Sequence, residues 1–455
     1  MTIYLTDLTD DFIEFEGLTE TISLEPEQYD EALELSNQVV NEAGKWQIYL
    51  QTLALFSFEE WLKKREPEMP VQREQASVLQ PQYANVIDAV CNLRVGEFKV
   101  CLIPSISFSD EEIAIPRAVV DLPELIAHFY VVIGIEQDLD VAAIRGFLRY
   151  DQLVNYRPQL QSEADWTYQI PLAWFNREPD ELLLFLQCLD PTAIPLPEIP
   201  TTRQATLSQM QAALINLLPQ VHNRHLWQVL TWEQGVVVLT TPDLLNWLYQ
   251  SLTENTTVLT NHLSDLLQIL TQQAVNVRRW LRNQMDDVMQ LSWEVLPVPS
   301  PLRGAEATRE LSVPFFRRTA GQNSAQHLEE ILREISLNHN LEIPEMAGRA
   351  YRDLSLVRPL RLYAVTWPVS DDSGWILLLI LAAIPGAEPP YGFTLRLSDQ
   401  VGILTQDELQ PDSIHDYIFA LVAGSYQDKF LATITSITGE VRTLPPFEFP
   451  GEQQL

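Results

Sequence analysis

Two stretches of short β-branched and aromatic runs flank a central block with helical periodicity, and this alternation confines the chain to a mixed architecture. In the first stretch the runs lie at 98–102, 112–120, 128–135 and 141–150, separated by polar turns such as Ser107-Phe108-Ser109-Asp110. That spacing predicts a small antiparallel sheet or partly closed barrel, with a further strand at 166–170 and a closing helix at 180–189. In the second stretch the runs lie at 360–369, 375–384, 393–397, 417–422 and 429–436, with turn signals that include Asp371-Asp372-Ser373-Gly374. These predict a C-terminal β-sandwich.

Between the two, residues 206–296 read as helical. The clearest part places Leu259, Leu263, Leu266, Leu270, Ala274, Val277, Leu281, Met285 and Val288 at steps of three and four, an apolar stripe of about eight turns. At the N-terminal end, 26–40 predicts an amphipathic helix that Gly44 interrupts. Ser57-Phe58-Glu59-Glu60 reads as a capping box opening a short helix through Arg65. A helix over 324–337 is expected within the otherwise weakly patterned 302–350.

The fold class expected is therefore α+β: N-terminal helices with a small antiparallel sheet or barrel, a helical middle block and a C-terminal β-sandwich. Pro191, Pro195, Pro197 and Pro200 mark an extended linker. The domains expected are an α+β domain at 1–189, the linker at 190–203, a helical domain at 204–296, a partly helical connector at 297–355 and the sandwich-like domain at 356–455.

Charge narrows the partners. The chain has 29 basic and 62 acidic residues, a net of -33, and residues 1–72 hold 16 acidic against four basic side chains. Such a surface repels nucleic-acid backbone and anionic lipid and attracts basic partners. Cys91, Cys101 and Cys188 show no paired spacing and read as reduced core thiols of a cytoplasmic protein. Neither a basic, apolar leader nor an apolar run longer than that at 375–384 is present, so neither signal peptide nor membrane association is expected.

Reaction chemistry is not legible. His222-Asn223-Arg224-His225 has H-x-x-H spacing but no third ligand or adjacent base, so an exposed or capping pair is expected rather than a metal site. His262 with Asp265 fails the same test. Cys101 and Cys188 sit in apolar runs without an activating cation, and no Gly-x-Ser-x-Gly or phosphate-cradling loop occurs. Asp286-Asp287 and Asp371-Asp372 lack the alternation of a Ca²⁺ loop. No cofactor, metal or catalytic residue is assigned. One segment departs from the acidic background: 276–361 carries 12 arginines against 11 acidic residues. Arg278, Arg279, Arg282, Arg317 and Arg318 are the candidates for docking a carboxylate-bearing partner, unless they pair internally.

The strongest string is Arg145-Gly146-Phe147-Leu148-Arg149-Tyr150-Asp151-Gln152-Leu153, followed by Pro171-Leu172-Ala173-Trp174-Phe175 and by 183–189. In this order they resemble a large cyanobacterial family known as a domain of unknown function. Val275-Asn276-Val277-Arg278-Arg279-Trp280-Leu281 is similar to that family's helical motif, although Met289 stands where a second Trp is usual. The resemblance implies a cyanobacterial cytosolic protein and carries no catalytic residues. It also implies gene neighbours encoding sigma factors or caspase-like peptidases, hence a regulatory partner. Read from its residues alone, the motif is architectural: Gly146 marks a bulge or close backbone approach, and Arg149 with Asp151 fixes a strand end. The function expected is a non-enzymatic interaction or regulatory protein with a basic protein partner such as a sigma factor. The alternative is a hydrolase built on dispersed carboxylates.

Overall fold

A computed structural model describes residues 21–39, 42–136, 140–253, 256–284, 293–297, 315–369 and 373–451. The chain forms two compact units, Met1–Asn255 and Thr256–Leu455, so the division falls inside the stretch with helical periodicity.

The N-terminal unit is built on a six-stranded sheet in the order Ile22–Ser23, Val141–Arg149, Phe129–Glu136, Phe98–Ser105, Val90–Val95, Val71–Gln72. Every pairing is antiparallel except Phe98–Ser105 with Phe129–Glu136, which run parallel because residues 106–128 cross back before the second strand begins. That crossover carries Glu112–Pro116, which pairs with Thr167–Pro171 in a separate two-stranded sheet, and then the short helix Arg117–Asp121. The run at 112–120 is thus half strand and half helix.

One face of the large sheet packs on the helix Glu42–Arg65. Ile48, Leu53, Phe56, Phe58, Trp61 and Leu62 of the helix share a core with Leu93, Val100, Phe129, Val131, Ile133 and Phe147 of the sheet. Burying each such side chain contributes on the order of 1.5–3 kcal/mol. Gly44 does not interrupt this helix and Ser57 does not begin one. Ser57 is fully buried, and its hydroxyl donates to the Leu53 carbonyl one turn back at 2.7 Å, as Thr52 does to Ile48 at 2.8 Å. The hydroxyls are satisfied within the helix, so burial outweighs their preference for its start.

The motif strand Val141–Arg149 carries the bulge that its glycine suggested. Val132 pairs with Gly146 but Ile133 pairs with Ile144, leaving Arg145 as the extra residue. Its guanidinium, turned out of the ladder, donates to Ser105 Oγ at 3.0 Å and to the carbonyls of Phe108, at 2.9 Å, and Asp110. A Cβ on Gly146 would stand 2.9 Å from the Asn176 carbonyl oxygen, so this position needs the close approach that glycine allows. Arg149 and Asp151 form a two-pronged pair at 3.0 and 2.7 Å where the strand turns into the helix Tyr150–Tyr156.

Cys91 and Cys101 are buried, and burial pushes the Cys91 thiol up to about 11. Cys188, read from sequence as a core residue, is exposed. It lies four residues after Leu184, also exposed, on the outer side of the helix Pro179–Cys188, whereas Leu182 and Leu186 turn inward.

His128 supplies a pH dependence. Its Nδ1 accepts the Lys99 backbone N–H at 2.8 Å while its ring packs edge-on against Phe98, and burial, with the Lys99 charge added, pushes its pKa down to about 4. The unfolded chain, with an imidazole near 6.5, binds the proton first. The stability contributed by neutral His128 is therefore complete above pH ~6.5 and is lost as pH falls toward 4, by up to about 3 kcal/mol. His128→Gln retains an acceptor for the Lys99 N–H without titrating. Denaturant unfolding at stepped pH is expected to show a shallower slope between 6.5 and 4 in the variant than in the parent.

The C-terminal unit is a sandwich covered on both sides. One sheet runs Glu294–Leu296, Gly348–Ser355, Pro359–Pro368, Trp375–Ala383, Tyr417–Gly424, antiparallel throughout. The other runs Ile403–Glu408, Thr394–Ser398, Lys429–Thr435, Phe447–Glu448, Val275–Asn276, and Val441–Thr443 also pairs with Lys429–Thr435. Leu362, Leu377 and Leu379 of the first sheet meet Leu395, Phe430, Ala432 and Phe447 of the second in one core. The opposite face of the first sheet, with Tyr363, Val365 and Ile380, buries Leu328, Ile331, Leu332 and Ile335 of the helix Phe315–His339. Behind the second sheet, the helix Thr256–Thr271 places Asp265, only 2 % exposed, against Arg396 at 2.9 Å and Ser398 at 2.6 Å. The same helix directs His262 Nε2 to the Asp399 carbonyl at 3.0 Å.

The long stripe from Leu259 to Val288 is not one helix. It ends at Thr271, and the Val275 N–H donates to the Pro446 carbonyl as Val275–Asn276 joins Phe447–Glu448 in parallel. A 3-10 turn, Val277–Arg282, follows and buries Trp280 against Trp293 and Phe447, with ring centroids 5.5 and 6.5 Å away. Apolar spacing of three and four is met equally by a helix and by a strand-plus-turn that plugs a sandwich, and the sheet's open backbone decided between them. Met285 and Val288 lie outside the described residues.

Candidate functional site

The N-terminal unit encloses a cavity of about 340 Å³ where the small two-stranded sheet meets helices from either end of the unit. Its apolar wall comes from Val221, Leu226, Leu239 and Leu248, all buried. Trp166, Trp227 and Trp232 also line it, and Asp88, Asp165, Arg224 and His225 are polar members that water reaches.

The backbone at Trp166 is strained to make this wall. Trp166 has φ of 60°, a conformation that costs a residue with a side chain roughly 1–2 kcal/mol. It is fixed by two hydrogen bonds: its N–H donates to the Glu163 carbonyl at 3.2 Å, and its carbonyl accepts the Arg117 N–H at 2.7 Å. The indole lies on Gly235, where a Cβ would come within 2.2 Å of it, and meets Trp232 edge-on at 5.3 Å. Trp232 is backed by the Arg117 guanidinium, 4.2 Å from its ring centre. Arg117 is held in turn by Asp121 at 2.8 Å, and Asp121 also accepts from Arg157 and Tyr168, each at 2.9 Å. Burial first, and then the Asp121 charge, pushes the Tyr168 hydroxyl up to about 12, so it stays a donor at any physiological pH.

Asp88 is the cavity carboxylate whose titration the surroundings shift. Although water reaches it, protein surrounds it on most sides, and that enclosure raises its carboxyl above the ordinary range. The charge of His225 opposes the rise and that of Asp165 adds to it. His225 stacks parallel on Trp227 at 5.5 Å, and its backbone N–H donates to the Gln228 side-chain Oε1 at 3.3 Å. It therefore stands at the start of the helix Leu226–Val229 as well as on the cavity. The His222 side chain lies outside the described residues. Among the described residues, no group of three or more His, Cys, Asp or Glu is placed to hold a metal ion.

The arginines singled out by composition are placed elsewhere, in the C-terminal unit. Arg278 turns inward, donating to the Pro450 carbonyl at 2.7 Å with its guanidinium 5.4 Å from the Phe449 ring centre. Arg279 is half-buried and Arg282 exposed on the same 3-10 turn. Arg317 and Arg318 belong to the helix Phe315–His339, and their side chains are outside the described set. Farther along, Arg349 pairs with Glu329, Arg358 with Glu388 at 3.0 Å, and Arg361 with Asp353 through two bonds at 2.6 and 2.9 Å.

The residues of the cavity carry no local signature, because 44–47, 84–88, 116–118, 165–167, 221–232 and 239–252 each contribute a few side chains. The family assignment comes from the chain as a whole: a model described as "Protein of unknown function (DUF1822)" matches residues 22–441. The chain belongs to the DUF1822 family. That match spans both units of the DUF1822 protein, the sheet with its bulged strand and nearly all of the sandwich. No curated protein and no solved structure matches it. In this DUF1822 chain no helix among the described residues is long and apolar enough to cross a membrane.

Proposed function

We propose that this DUF1822 protein is a non-enzymatic regulatory protein that takes a small molecule into the cavity of its N-terminal unit and meets a basic protein partner through its acidic exterior. The observation that carries the reading is the cavity itself. Three tryptophans and an apolar wall offer stacking surface, and a residue is held in a strained backbone conformation to complete them. The acidic exterior is supported by the way arginines are used. Arg73, Arg149, Arg203, Arg349 and Arg361 are each paired with a carboxylate of the same chain, which leaves the excess negative charge facing outward. The partner proposed is a basic regulatory protein, such as a sigma factor of a cyanobacterial cytoplasm.

The test is a thermal-shift screen of the full chain against a library of soluble metabolites. A ligand at a hundred times its Kd is expected to stabilise the unit by about 2.7 kcal/mol, and Leu252→Trp, which adds ring bulk to the cavity lining, to reduce that shift while keeping the fold. A screen with no stabilising compound, or shifts left unchanged by Leu252→Trp, would sink the reading.

One observation favours the alternative, a carboxylate hydrolase. Asp88 holds its proton to higher pH than an ordinary aspartate, with a second carboxylate, Asp165, within electrostatic reach. Turnover of a hit compound that disappears in Asp88→Asn would move the assignment to that class.

A further inference from the structure

We infer that the cavity recognises an ammonium group carried on a compact apolar body. The inference rests on the ligand-binding reading above and adds the chemical class. Asp88 and Asp165 bring two carboxylates to the same cavity, and Trp166, Trp227 and Trp232 are among the residues that line it. An aromatic face is negative at its centre and attracts a cation, and a carboxylate beside it completes the charge match. The volume of about 340 Å³ lies at the lower end of small-molecule sites and fits a single ring or a short branched chain.

Two details strengthen the assignment. Arg117 already lies against Trp232, so the structure shows that this ring accepts a guanidinium cation on its face. Burial first, and the charge of Asp165 last, disfavour the Asp88 carboxylate while His225 favours it, and a bound cation would favour it further. Arg224, also at the cavity, is the one Lys or Arg among its described lining residues, and it suits a carboxylate carried on the same ligand. The ammonium could therefore belong to a simple amine or to an α-amino acid.

The experiment follows tryptophan fluorescence and calorimetry of the full chain titrated with phenethylammonium, with phenylalanine and with the neutral 3-phenylpropan-1-ol at pH 7.5. The ammonium-bearing probes are expected to bind at least tenfold more tightly than the alcohol. Asp88→Asn and Asp165→Asn, each checked for an unchanged unfolding midpoint, should each weaken the ammonium probes about tenfold and leave the alcohol unchanged. Phenylalanine binding more tightly, with its advantage erased by Arg224→Gln, identifies an amino-acid ligand. Phenethylammonium binding more tightly identifies a simple amine. Alcohol binding as tightly as the ammonium probes overturns the cation assignment and leaves the ligand-binding reading standing. No response to any probe, together with a blank metabolite screen, overturns both.

Discussion

Asp265→Ala is expected to destabilise the C-terminal unit by about 3–5 kcal/mol. The carboxylate is 2 % exposed and accepts from Arg396 at 2.9 Å and from Ser398 at 2.6 Å. Its removal leaves a guanidinium, 17 % exposed, with its charge unmatched between helix and sheet. The penalty arises from that stranded charge, so truncating both partners should cost less than truncating one. Asp265→Leu combined with Arg396→Met is expected to recover most of the loss, because an apolar pair of similar volume avoids desolvating two ions. Because the two units can unfold separately, a single global midpoint would blur the effect. Hydrogen exchange of the central strand Trp375–Ala383 reads the C-terminal unit alone. Equal losses in the single and double variants would show that the pair contributes nothing beyond its volume.

Gly235→Ala should run against helix propensity. Gly235 lies inside the helix Trp232–Leu239, where replacing glycine by alanine ordinarily stabilises by up to about 1 kcal/mol. Here the added Cβ would stand 2.2 Å from one carbon of the Trp166 ring and 2.6 Å from another. The ring cannot simply swing aside, since it is packed edge-on to Trp232 and its own backbone is pinned on both sides. Overpacking of this kind costs typically about 1–3 kcal/mol, so the net effect expected is a loss of up to about 2 kcal/mol once the helix-propensity gain is subtracted. Displacing Trp166 also removes one aromatic wall, and ligand affinity should fall more than tenfold. Thermal unfolding with the fluorescence spectrum of the variant checks both. A gain in stability would show that the indole is free to move and that its strained backbone is not required by the packing.

Elements whose side chains follow one period and one environment were readable in the sequence. The strands at Phe129–Glu136 and Trp375–Ala383, the helix Pro179–Cys188 and the bulge at Gly146 follow from local pattern. Reading failed where the deciding partner is distant. Val275 is a strand residue because Phe447 lies beside it, and Ser57 is a mid-helix residue because the helix around it is buried. Gly348–Ser355, which went unread as a strand, has Arg349 and Tyr351 among its buried side chains, with their polar ends held by Glu329 and Glu294. Its composition therefore looked like that of a connector. The cavity was the least legible feature. Asp88, Asp165 and the three tryptophans are separated by up to 144 residues, from 88 to 232, and no spacing rule links them. Arg145-Gly146-Phe147 stood out because it is structurally demanding, which is a different property from being functional.

The parallel pairing of Val275–Asn276 with Phe447–Glu448 has a consequence for how the protein is made. On the ribosome the first partner emerges 172 residues ahead of the second, counting from 275 to 447, an interval of roughly 10–35 s at ordinary rates of synthesis. Throughout that interval the edge of the growing sandwich has no final strand, and Trp280 lacks the Phe447 ring that later covers it. The N-terminal unit contains all the strands of its own sheet and can fold meanwhile. Nascent chains of this protein thus pass through a stage in which a finished N-terminal unit is tethered to an open, apolar sheet, and that stage is where a chaperone would be needed.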